Sequence, residues 1–213
     1  MTEWVLFDMD GTLINSMPIW KNIASDFVRV NGGAPEGDLY PVLYGRTLEE
    51  SSRTLCDMFS LSLTDEEAFE SMISLVEEKY KTVEQTRGAY ALLEALHDRN
   101  IKLAVVSACP YRLVVPTLER LGFTKFLDKI YYSTDKSTPE AFITLSQKLG
   151  YDPKKTWLVE DNLTAMVAAA KIGIKTAALF DGSSRASADE FKQKTDRFYT
   201  DFADLDSWLA DIL

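Results

Sequence analysis

Residues 4–12 read WVLFDMDGT, four apolar side chains followed at once by a polar turn that contains glycine. This pattern predicts a buried strand over residues 4–7. Because the apolar run does not alternate with polar residues, both faces of the strand are expected to be covered, as they are in a parallel sheet. The strand would then deliver two carboxylates, Asp8 and Asp10, to its carboxyl end.

Further apolar runs follow along the chain and alternate with amphipathic segments. The runs that predict strands cover residues 103–106, 130–132, 156–159 and 175–179. The segments that predict helices cover residues 89–99, 111–121, 138–149 and 164–172. Such an alternation is typical of an α/β fold, a doubly wound parallel sheet with right-handed crossovers.

Residues 16–85 follow a different pattern, because helical periodicity extends through them and no convincing strand interrupts it. A capping box, Thr64 with Glu67, predicts the start of one of these helices. We therefore expect a helical domain over residues 16–85, inserted into an α/β core domain made of residues 1–15 and 86–213.

Composition excludes several classes of function. The 23 basic and 33 acidic side chains give a formal charge of −10, which disfavours nonspecific binding to nucleic acid or to anionic lipid. Two cysteines and one histidine are too few for a disulfide framework or a histidine-rich metal cluster. No apolar run approaches the ~18 residues of a membrane span, and the first residues carry no basic segment. We expect a cytoplasmic protein that does not bind a membrane.

Ligands of doubly wound sheets bind beyond the carboxyl ends of the strands. The polar residues expected at that edge are Asp8, Asp10, Ser107, Lys136, Glu160 and Asp161. Each alone is an ordinary turn, cap or solvated residue, but they occur together and in order at successive strand ends. Carboxylates suit Mg²⁺, an aspartate can accept a phosphoryl group, and a lysine can bind phosphate oxygens. The combination predicts phosphoryl transfer assisted by Mg²⁺.

These motifs together resemble the haloacid dehalogenase superfamily of phosphohydrolases. The resemblance is carried by residues 8–12 (DMDGT), Ser107, Lys136 with Pro139, and the pair Glu160 and Asp161. The helical insert resembles the type-1 cap of the phosphoglycolate phosphatase and β-phosphoglucomutase branch. The resemblance implies a Rossmann-like core domain with an inserted α-helical cap domain.

The resemblance also implies roles for individual residues. Asp8 would be the nucleophile and Asp10 the general acid and base. Mg²⁺ would be bound by Asp8, the main chain of Asp10, Glu160 and Asp161. The phosphoryl group would be held by Gly11, Thr12, Ser107, Ala108 and Lys136. The implied activity is hydrolysis of a small phosphorylated metabolite through an aspartyl-phosphate, by a monomer or homodimer.

Two alternatives remain at this point. One is a phosphosugar mutase of the β-phosphoglucomutase type, although Trp20, Tyr44 and Leu48 stand where that branch carries a histidine and cationic residues. The other is a phosphate-sensing protein that retains the fold without turnover, which the intact acidic motifs disfavour. Whether Trp20, Tyr44 and Arg46 contact the substrate stays open.

Overall fold

The computed structural model describes residues 1–43 and 46–213. These residues form two compact units, one made of residues 1–15 and 84–213 and the other of residues 16–83. The first unit contains the sheet, and the second is helical. Among the described residues, no helix is both long and apolar enough to cross a membrane.

The sheet of the first unit has six parallel strands in the order β3-β2-β1-β4-β5-β6. The prediction of a parallel α/β sheet is confirmed. The strands are β1 (Trp4–Phe7), β2 (Lys102–Val106), β3 (Lys129–Tyr131), β4 (Thr156–Glu160), β5 (Lys175–Leu179) and β6 (Arg197–Tyr199). The last of these was not predicted, because it is a three-residue edge strand without a continuous apolar run.

Helices flank this sheet and bury its apolar side chains. They are α4 (Ala89–His97), α5 (Tyr111–Arg120), α6 (Pro139–Leu149), α7 (Leu163–Ala170), α8 (Ala188–Lys194) and α9 (Leu205–Ile212). On one face, alternate strand residues such as Leu6 and Val106 pack against Phe142, Met166 and Phe191 from α6, α7 and α8. All four residues of β1 are buried, so the central strand is covered on both faces, as its apolar run predicts.

The helical unit contains α1 (Met17–Val30), α2 (Leu48–Phe59) and α3 (Asp65–Tyr80). Its buried side chains include Ile23, Phe27, Leu55 and Met72, which cover the helices' apolar faces. The predicted capping box is present at the start of α3. The Glu67 amide donates to the Thr64 hydroxyl at 3.2 Å, and the Thr64 amide donates to the Glu67 carboxylate at 2.8 Å.

The register of the central strands sets the position of the polar residues that follow them. Phe7 pairs with Val105 on one side and with Val159 on the other. Asp8 and Glu160, each one residue further along, therefore lie side by side at the carboxyl ends of adjacent strands. Ser107 follows on the neighbouring strand two residues after Val105. The sheet thus brings three predicted polar residues to the same edge.

Candidate active site

Asp8 begins the turn that follows β1 and is 5% exposed. Its amide donates to the Val159 carbonyl at 2.9 Å, which fixes its backbone to β4. In the turn, Gly11 adopts a φ of 75°, which glycine tolerates at little steric cost. The Gly11 amide donates to the Ile14 carbonyl at 3.1 Å, and the Thr12 amide donates to the Met9 carbonyl at 3.3 Å. Both amides therefore stabilise the turn, and their predicted contact with phosphate stays a prediction.

Ser107 is buried directly after β2, in a segment bonded to the end of β3. Its amide donates to the Tyr131 carbonyl at 2.9 Å, and its carbonyl accepts from the Thr134 amide at 3.0 Å. The Ser107 hydroxyl accepts from the Cys109 amide at 3.1 Å, a bond that orients the hydroxyl oxygen. Ala108, between them, is exposed at this edge of the sheet.

Lys136 extends from the loop between β3 and α6 into the protein and is 7% exposed. Its ammonium group donates to Asp8 Oδ1 and, at 2.6 Å, to Glu160 Oε2. Burial acts to lower the pKa of Lys136, but the charges of Asp8 and Glu160 outweigh it and raise that pKa. The site therefore holds a fixed positive charge beside Asp8.

Three carboxylates meet around this ammonium group. One oxygen each from Asp8, Glu160 and Asp161 lies within 4.8 Å of the other two. Glu160 is 1% exposed, and its Oε1 accepts from the Asn162 amide at 3.1 Å. Asn162 in turn caps α7 through a bond from the Thr164 amide at 2.9 Å, which fixes the chain just after the acidic pair.

Crowding and burial make two of these carboxylates, Asp8 and Asp161, unusually hard to ionise. Burial, followed by the charge of Glu160, raises the pKa of Asp8 to about 8 and that of Asp161 well above its usual range. One lysine does not balance three carboxylates. A divalent cation would supply the missing charge, and carboxylate oxygens are the ligands that Mg²⁺ prefers. The donor set therefore fits the predicted metal.

Asp10 lies in the turn after β1, two residues beyond Asp8. It is half-buried, and its carboxylate does not belong to the three-carboxylate cluster found among the described residues. The thiol of Cys109 lies beside it. Burial and the charge of Asp10, with a hydrogen bond to it, raise the pKa of Cys109. This contact was not predicted, since it depends on how the loop after β2 folds over the turn after β1.

The structure thus gathers Asp8, Lys136, Glu160 and Asp161, with Ser107 at the adjacent strand end. Two of the residues predicted in the helical segment, Trp20 and Arg46, have side-chain hydrogen bonds inside the helical unit. The Trp20 indole donates to the Tyr80 hydroxyl at 2.9 Å, and the Arg46 guanidinium donates to the Val42 carbonyl at 2.9 Å, both within the helical unit.

Tyr44, predicted with them, lies outside the described residues. Contacts of Trp20, Tyr44 and Arg46 with a substrate stay predictions.

Comparison with known proteins agrees with the motifs. Residues 5–179 match the haloacid dehalogenase-like hydrolase family. The pyrophosphatase PpaX of Halalkalibacterium halodurans is 30% identical over 184 residues, which cover 81% of each chain. The phosphoglycolate phosphatase of Haemophilus influenzae is 29% identical over 196 residues, covering 83% of this chain and 84% of the relative.

A solved structure shows the same fold at lower identity. The crystal structure of β-phosphoglucomutase from Clostridium difficile superposes with a TM-score of 0.76 at 18% identity, covering 100% of this chain and 97% of that one. The resemblance inferred from the motifs is therefore confirmed. The chain belongs to the haloacid dehalogenase-like hydrolase family.

Proposed function

We propose that this protein is a Mg²⁺-dependent phosphatase that hydrolyses a small phosphorylated metabolite through an aspartyl-phosphate on Asp8. The observation that carries the proposal is the placement of Asp8, buried against the Lys136 ammonium and within 4.8 Å of Glu160 and Asp161. The names of the two relatives support it, since one is a pyrophosphatase and the other a phosphoglycolate phosphatase.

In the proposed first step, an oxygen of Asp8 attacks phosphorus, and the bond between phosphorus and the alcohol oxygen breaks. Lys136 would lower the repulsion between the carboxylate and the phosphate and would stabilise the charge on the transferring group. Ser107, at the adjacent strand end, would hold a phosphoryl oxygen through its hydroxyl. Backbone bonds to Tyr131 and Thr134 hold Ser107, and side-chain bonds to Asp8 and Glu160 hold Lys136, which suits a reaction that depends on positioning.

Asp10 would carry the protons of both steps. It would first give a proton to the departing alcohol oxygen, so that the alcohol leaves neutral. In the second step Asp10 would take a proton from the water that attacks phosphorus. That attack breaks the bond to Asp8 and releases inorganic phosphate, which restores both carboxyl groups.

Asp8, Asp161, Glu160 and the main-chain carbonyl of Asp10 would hold the Mg²⁺. When bound, the ion would favour the ionised carboxylates and withdraw charge from the phosphoryl oxygens. Because Glu160 is already bonded to Lys136, it would also fix the lysine beside the nucleophile. The helical segment, residues 16–85, is part of the proposal as the cap that selects the substrate.

The test compares Asp8→Asn with the wild type and with Asp152→Asn, the same substitution at an exposed position at the amino end of β4. Phosphate release from p-nitrophenyl phosphate with Mg²⁺ is the measurement, and circular dichroism checks the fold. We expect Asp8→Asn to lose at least ~10³-fold in rate and Asp152→Asn to retain it, because only the first removes a covalent nucleophile. Unchanged turnover in folded Asp8→Asn would contradict the proposal.

A further variant tests the covalent step. Asp10→Asn should still form the aspartyl-phosphate with an activated aryl phosphate but should hydrolyse it slowly, because the base for water is missing. Acid quenching and mass spectrometry should then find one phosphoryl group on the peptide that contains Asp8. A phosphoryl group on any other residue would contradict the proposed role of Asp8.

A further inference from the structure

Two tyrosines lie exposed side by side at the edge of the sheet that holds the candidate active site. Tyr111 is the first residue of α5 and is 54% exposed, and Tyr132 directly follows β3 and is 46% exposed. Their rings meet edge to face, with centroids 5.3 Å apart and planes at 78°. Single exposed apolar residues are normal on a protein surface, but a contacting aromatic pair at a ligand-binding edge needs another explanation.

Backbone hydrogen bonds hold the segment of Tyr132 against the loop of Ser107, and that loop leads directly into Tyr111. The Ser107 amide bonds to the carbonyl of Tyr131, the residue before Tyr132. The Ser133 amide, on the other side of Tyr132, donates to the Cys109 carbonyl at 2.8 Å. Consecutive Cα atoms are about 3.8 Å apart, so Tyr132 lies within about two residue lengths of the segment that carries Ser107. The backbone of Tyr132 therefore lies beside the segment that carries the proposed phosphate-binding hydroxyl, and its ring contacts the ring of Tyr111.

We propose that Tyr111 and Tyr132 bind the organic part of the substrate and select phosphate monoesters whose alcohol carries a ring. The inference rests on the proposed function, because Asp8, Lys136 and Ser107 must hold the phosphoryl group for the alcohol to extend past Ser107. An aromatic ring, or the C–H face of a sugar, offers a flat apolar surface that fits against tyrosine rings. The pair brings no positive charge, so it does not favour a second phosphate group.

The two rings themselves favour an apolar rather than an ionic contact. Tyr111 and Tyr132 pack on each other through their rings, so each presents part of its ring to solvent. Aromatic contacts of this kind strengthen binding by up to about tenfold beyond the area they bury. A ligand that reaches the pair should therefore bind about tenfold more tightly than one that contains only the phosphoryl-like group.

The test measures binding without turnover. Phenylphosphonate and methylphosphonate carry the same acidic group on a non-hydrolysable C–P bond, and only the first carries a ring. Their affinities for the protein with Mg²⁺ are measured by calorimetry in the wild type, in the double variant Tyr111→Ala/Tyr132→Ala and in Tyr111→Phe/Tyr132→Phe. Ile143→Ala is the control, since it removes another exposed apolar side chain, on α6.

We expect the wild type, the double phenylalanine variant and Ile143→Ala to bind phenylphosphonate about tenfold more tightly than methylphosphonate. The double alanine variant should lose most of this preference while its affinity for methylphosphonate stays unchanged. A wild type without the preference, a double alanine variant that keeps it, or an equal loss for both ligands would overturn the inference.

A separate assay distinguishes failure of the inference from failure of the proposed function. The wild type is incubated with phenyl phosphate and Mg²⁺, and released phosphate is measured. If the ring preference depends on the tyrosines but no phosphate is released, the binding inference stands and the phosphatase proposal fails. If phosphate is released and the preference does not depend on the tyrosines, the phosphatase proposal stands and this inference is overturned.

Discussion

Replacement of Lys136 by methionine should destabilise the protein and abolish its activity, because it leaves carboxylates crowded in a buried site. Lys136 donates to Asp8 and to Glu160, and all three side chains are less than a tenth exposed. With carboxylate oxygens within 4.8 Å of one another, two ionised groups repel by about 3 kcal/mol at an effective dielectric constant of ~20. This is the upper size of the effect, because Asp8 or Asp161 can take up a proton instead. Measured losses for breaking a buried pair are similar, about 3–5 kcal/mol.

The assay is thermal unfolding in the presence of EDTA, so that no divalent cation replaces the lost charge. In a chain of this length a loss of about 3 kcal/mol lowers Tm by roughly 6–12 °C. The decisive comparison is the double variant Lys136→Met/Glu160→Gln. The second change removes a charge that the first left unpaired, while the amide oxygen can still accept from the Asn162 amide, so Tm should partly recover.

Adding Glu160→Gln to Lys136→Met should raise Tm without restoring activity. Phosphate release should fall at least ~10²-fold in both variants, because neither places a positive charge beside the transferring group. A Tm for Lys136→Met within about 1 °C of the wild type would refute the electrostatic reasoning. So would a further fall in Tm when Glu160→Gln is added.

Three further predictions concern other parts of the molecule. Gly88→Ala should lower the free energy of unfolding in urea by about 2–4 kcal/mol, because φ at Gly88 is +83° and a Cβ would lie 2.4 Å from the Phe202 carbonyl oxygen. Gly150→Ala should lower it by only about 1 kcal/mol, because φ there is +69° and the added Cβ would meet open space. Burial acts to raise the pKa of Asp211, but hydrogen bonds from neighbouring tyrosine and arginine side chains hold that pKa below its usual range. Asp211→Asn should therefore lower the free energy of unfolding by up to about 1 kcal/mol at pH 7. The difference from the wild type should vanish as the pH falls below about 4, where the carboxylate of the wild type becomes protonated. Mg²⁺ at about 100 times its Kd should raise the wild-type Tm by roughly 5–10 °C and that of Asp161→Asn by less than half as much; equal shifts would contradict the ligand assignment.

The sheet was predictable from sequence because each central strand is an apolar run that stops at a polar turn. Residues 4–7 and 156–159 are covered on both faces, and such burial selects long apolar runs. Strand β6 was not predicted, because it has no continuous apolar run. Its three residues, Arg197–Tyr199, lie at the edge and are only partly buried, so packing against β5 rather than local pattern makes them a strand.

Contacts between residues distant in sequence were less predictable than strand ends. Tyr111 and Tyr132 meet only because α5 begins beside the end of β3, and their separation in sequence carries no sign of the contact. The close approach of Gly88 to Phe202 is similar, since only the folded chain brings the Phe202 carbonyl to that glycine. The helical period of residues 16–85 predicted helices in this segment, but not that the Trp20 indole would donate to Tyr80.

The acidic pair shows why strand ends are the places where sequence predicts chemistry best. Side chains alternate between the two faces of a strand, so Glu160 and Asp161 would point to opposite faces if β4 continued. The strand ends at Glu160, and the chain turns at once into α7, whose first amides are bonded by Asn162. Because the chain turns there, the Asp161 side chain no longer has to point to the face opposite Glu160, and both carboxylates can lie close to Asp8. An adjacent Glu-Asp pair is therefore informative only where a strand stops, and here the cap at Asn162 is the local signal that it does.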